Sequence, residues 1–74
     1  SFYSFSRTCE TGRLVVAANT GSGECPLNLA LEQDEILKDF FISGSVSYEL
    51  NGVFRIGENS GIAAWIVRNF IQSK

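Results

Sequence analysis

Eight acidic side chains leave carboxylate acid–base chemistry open to this 74-residue chain, which contains no histidine, the commonest proton-transfer group. Four of them, Glu32, Asp34, Glu35 and Asp39, fall within eight positions of one another in "EQDEILKD". Paired carboxylates can serve glycoside or peptide hydrolysis, one as acid and one as base or nucleophile. Such a pair also needs a substrate cleft, which so short a chain rarely builds. The cluster therefore reads as a solvated helix face, with Glu35 and Asp39 at i, i+4 and Lys38 offsetting Asp34.

Without histidine there is no Ser-His or Cys-His nucleophile pair and no imidazole metal ligand. Two cysteines cannot make a four-thiolate zinc site, and the ordered Asp-rich calcium loop is absent. Gly21-Ser22-Gly23 runs into Glu24 rather than Lys, so it reads as a turn and not a phosphate cradle. No residue pattern names a cofactor, and the chain is expected not to be an enzyme.

Cys9 and Cys25 are expected to form a disulfide. Closing the loop between them would stabilise the fold by roughly 3 kcal/mol, and the bridge would staple the two flanks of an intervening strand. That pairing, with only two Lys and many Ser, points to a secreted or extracytoplasmic chain. The net charge is −2 and the four Arg are dispersed, so no basic stripe tracks a nucleic-acid backbone. The longest nearly apolar run, Ile62 to Val67, is far short of the roughly 20 residues of a membrane-crossing helix. Nothing at the amino end reads as a signal peptide.

These residues must be positioned by elements read from hydrophobic period. "SFYSFS" and "GRLVVAAN" suit strands, and "NTGSGE" supplies turn residues from Asn19 to Glu24. From 27 to 40 two texts compete. Leu27, Leu29 and Leu31 alternate as in a strand, whereas Ile36, Leu37, Phe40 and Phe41 follow helix spacing. Good helix formers favour one helix near 27–40, opened by Pro26. Asn51-Gly52 marks a two-residue hairpin with Leu50 facing Val53, Tyr48 facing Arg55 and Val46 facing Gly57. Both faces of that hairpin would be partly apolar, implying contact on two sides. A second helix near 60–72, capped by Asn59 or Ser60, would carry Ile62, Trp65, Ile66 and Phe70 on one stripe. A central strand covered on both faces would give the same text.

The expected fold is thus α+β: one small domain spanning 1–74, with an antiparallel sheet of about four strands and two helices. Hydrophobic residues are 45% of the chain and charged ones only 19%, where about 25% charged is usual. A domain this size buries only about 60% of its surface, so apolar side chains are left for a neighbour to cover. The expected function is non-enzymatic protein binding, as a homo- or hetero-oligomer, through Ala63, Trp65, Val67, Arg68 and Ile71 with one face of the hairpin. Trp65 reads first as the core anchor of the last helix; the contact reading rests on the enrichment of Trp and Arg at binding hot spots, and both hold if the contact is between subunits. The second functional class is a small secreted toxin or membrane-active protein, its apolar helix lying in the membrane surface.

Overall fold

The structure is a computed structural model that describes residues 1–68. Seven strands run in chain order: β1 (Phe2–Cys9), β2 (Gly12–Asn19), β3 (Cys25–Asn28), β4 (Glu35–Ser43), β5 (Val46–Tyr48), β6 (Val53–Ile56) and β7 (Ser60–Arg68). They form two antiparallel sheets, one of four strands ordered β1-β2-β7-β4 and one of three ordered β3-β6-β5. The fold is therefore all-β, and the expected α+β architecture is overturned: neither the helix near 27–40 nor the one near 60–72 is present among the described residues.

The error over 27–40 has a local cause. Ala30 adopts φ +54, a left-handed conformation no helix interior tolerates, and Asn28 Oδ1 accepts the Ala30 N–H to form the turn. Arg13 on β2 then holds the carbonyls of Leu29 and Ala30. Downstream, the register of β4 against β7 shifts between Leu37 and Asp39. This bulge inserts one residue into a period of two. The side chains of Leu37 and Phe40 thereby share the inner face, with spacing that imitates a helix.

Residues 60–68 form the centre of the large sheet, hydrogen-bonded to β2 on one side and β4 on the other. A strand apolar on both faces carries no alternation to distinguish it from a helix. Its inner side chains, Ile62, Ala64 and Ile66, are buried with Val15 and Ala17 of β2. Leu27, Leu29, Phe54 and Ile56 meet them from the small sheet, and these nine residues are the core. Phe54 anchors it. Its ring lies 5.3 Å from Phe40, edge-on, and 4.8 Å from Tyr48.

The hairpin forms where expected but in another register. Asn51 (φ 62) and Gly52 (φ 76) take the two positive-φ positions the Asn-Gly pair suits. Glu49 N–H donates to Val53 O and Val53 N–H to Leu50 O, so one extra residue sits opposite Val53. The pairs become Val46–Ile56 and Tyr48–Phe54. A one-residue slip exchanges faces. Instead of two mixed faces, the hairpin has one apolar face, packed on the core, and one bearing Ser47 and Arg55. It is not contacted on two apolar sides.

The cysteines are free, Cys9 exposed and Cys25 half-buried. Cys9 pairs with Gly12 at one end of β2. Cys25 pairs with Ile56, whose carbonyl is held by Asn19 at the other end of β2. Eight residues of extended chain put roughly 20 Å between them, three times the reach of a disulfide. The expected bridge does not form, and with it goes the cysteine argument for an oxidising compartment.

Candidate functional site

Strand alternation divides the large sheet into an inner face that packs on the small sheet and an outer face that no other described residue covers. Since Val15, Ala17, Ile62, Ala64 and Ile66 point inward, their neighbours Leu14, Val16, Ala63, Trp65 and Val67 point outward. Cross-strand partners share a face. Leu14 pairs with Arg7 and Trp65, and Trp65 with Asp39, giving a row Arg7–Leu14–Trp65–Asp39. The next row is Phe5–Val16–Ala63–Phe41, and beyond it lies Tyr3–Ala18–Gly61–Ser43.

This outer face is apolar and open. Phe41 is 74% exposed, Tyr3 62%, Phe5 58% and Ile36 46%. Beside Phe41 runs a shallow trough of about 350 Å³, floored by Ala18, Gly61 and Ala63 and walled by Val16 and Phe41. Small side chains of β2 and β7 make its floor, and Val16 of β2 and Phe41 of β4 make its walls.

Three of the residues expected at an interface, Ala63, Trp65 and Val67, lie together on this face, each half-buried. Trp65 points away from the core. Arg68 is separate: it pairs with Glu35 across the strands on the inner side and donates to Asp34 Oδ2 at 2.6 Å. Ile71 lies outside the described residues. The hairpin's apolar face is turned into the core and contributes nothing here. Sequence reasoning missed Tyr3, Phe5 and Phe41. The alternation in "SFYSFSR" carried the first two, since Tyr3, Phe5 and Arg7 share one face and Phe2, Ser4 and Ser6 the other.

The acidic cluster is dispersed rather than assembled. Asp39 lies on the outer face and Asp34 binds Arg68. Glu35 is buried, and both its oxygens accept from Arg13, at 3.0 Å from Nε and 2.9 Å from Nη2. The Arg13 hydrogen bonds, with the Glu32 N–H, hold its carboxyl down at about 2. So charged, it serves Arg13 as counter-ion and neither donates a proton nor accepts one strongly near neutral pH. A cleft of about 360 Å³ opens beside this pair, lined also by Thr8, Gly12, Glu32 and Arg68. Among the described residues no three His, Cys, Asp or Glu side chains gather as a metal would require. Cys9 is exposed, and the Thr11 hydroxyl near its sulfur lowers its pKa. Among the described residues, too, no helix is long and apolar enough to cross a membrane.

The class defined by this geometry is a two-sheet antiparallel β-sandwich whose larger sheet presents an apolar face that no other described residue covers. Set against known protein families, curated proteins and solved structures, the chain matches none of them.

Proposed function

We propose that this sandwich works by binding protein, through the outer face of its four-stranded sheet. One observation carries the reading: the aromatic rims Tyr3, Phe5 and Phe41 and the half-buried Trp65 form one continuous apolar surface. Four strands about 4.8 Å apart and eight residues long give a footprint of roughly 500 Å² before side-chain relief is added. Apolar patches above a few hundred Å² mark interaction surfaces on soluble domains. The helix on which surface insertion into a membrane rested is the strand β7, so that reading loses its motivating element.

The test is capture of partners on immobilised chain, comparing the unaltered protein with Phe41→Glu and with Val53→Glu on the opposite sheet. A polypeptide retained by the unaltered chain and by Val53→Glu, and lost with Phe41→Glu, supports the reading. Identical retention by all three refutes it.

A further inference from the structure

Resting on that reading, we infer that the occupant of the face is a second copy of this chain, packed sheet on sheet about a two-fold axis. The axis would lie between the two sheets, nearly parallel to the strands. Besides exposed Lys38, unpaired in the bulge of β4, the cross-strand rows of the face carry only two charged side chains, Arg7 and Asp39. They are of opposite sign, they stand at opposite edges, and they occupy the same cross-strand row. Among the described residues neither side chain is in an ion pair.

A two-fold along the strands lays β1 of one copy over β4 of the other while keeping each row in place. Arg7 then meets Asp39 of the second copy, and the contact occurs twice. In the same operation Leu14 comes over Trp65 and Val16 over Ala63. Phe5 enters beside Phe41, into the trough that the small residues Gly61 and Ala63 leave open. An isologous interface must carry both knob and hole on a single patch, and this one does. Aligned sheets pack about 10 Å apart with their strand directions within about 30°, so natural twist accommodates the arrangement. The footprint of roughly 500 Å², enlarged by three protruding aromatics each leaving on the order of 100 Å² uncovered, approaches the roughly 800 Å² per partner of standard interfaces.

Sedimentation equilibrium of the full chain tests this. The expected mass is twice 8.1 kDa at tens of micromolar. Asp39→Arg and Arg7→Asp should each weaken the dimer at least about tenfold, because each places two like-charge contacts in its own homodimer. An equimolar mixture of the two variants should restore association to within about threefold of the unaltered chain, since both contacts in the mixed dimer are again attractive. Should a reversed-charge variant fail to fold, hydroxyl-radical footprinting of the unaltered chain decides. Protection of Tyr3, Phe41 and Trp65 that rises with concentration, while Tyr48 stays reactive, is the expected pattern. An unaltered chain that stays at 8.1 kDa throughout the micromolar range overturns the second copy, leaving the binding face to its own capture test. A dimer indifferent to both reversals, with no rescue on mixing, overturns it too.

Discussion

Replacing Glu35 by Gln isolates what one ion pair gives this fold. The neutral amide removes the charge that Arg13 holds, while keeping nearly the same shape. The carboxyl of Glu35 lies near 4.5 when free and at about 2 in the folded chain. That gap corresponds to about 3 kcal/mol at 1.36 kcal/mol for each pH unit. Water in the adjoining cleft, and an Arg13 side chain that is 21% exposed, weaken the pair, so about 2 kcal/mol is the expected contribution. Because the folded value is depressed, the stabilisation is complete above pH 4.5 and lost as pH falls from there towards 2. A domain of this size has roughly 4–11 kcal/mol in all, so the loss is easily measured. Urea unfolding followed by Trp65 emission should show Glu35→Gln less stable than the unaltered chain by about 2 kcal/mol at pH 7, with the difference shrinking towards zero at about pH 2. Subtracting the variant cancels the other carboxylates. A difference that stays constant with pH, or a variant as stable as its parent at pH 7, would refute the assignment.

Asn19→Ala should cost about 2–3 kcal/mol in the same assay, because the buried amide donates to the carbonyls of Gly23, Ile56 and Gly57. Gly52→Ala should cost about 1–2 kcal/mol, since φ +76 burdens any Cβ. Both effects would appear as a lower urea midpoint at unchanged slope. The mass of the unreduced chain should not rise on reduction, and Cys9 should react with a thiol reagent faster than Cys25, being more exposed and having its pKa lowered by Thr11. A deficit of about two daltons before reduction would contradict the separation of the two thiols.

Local punctuation was legible in the residues, whereas long-range covering was not. "GRLVVAAN", the Asn19–Glu24 turn and the Asn51-Gly52 reversal all appear where their side chains place them. Each is decided within a few residues. The failures came where a distant strand decides. Glu35 reads as a wet helix residue until Arg13, 22 positions earlier, reaches it. Ile62 to Val67 has no period to read, because β2 and β4 flank it and the small sheet covers its inner face. The hairpin register turned on a single extra residue opposite Val53. Of the apolar face, Ala63, Trp65 and Val67 were named from their surplus alone, although the helix imagined for them is absent. Tyr3, Phe5 and Phe41 needed the sheet order to bring them beside it.

The middle of the large sheet is its last strand in sequence, and its two neighbours begin 48 and 25 residues earlier, at Gly12 and Glu35. During synthesis neither can find its partner until Arg68 has cleared the ribosomal tunnel. Before that the nascent chain can hold the β1–β2 hairpin and the three-stranded β3-β6-β5 sheet, with the apolar sides that β7 will cover unsheltered. Assembly waits for β7 to emerge, and high contact order then makes it slow. Chaperone demand should be concentrated in that interval.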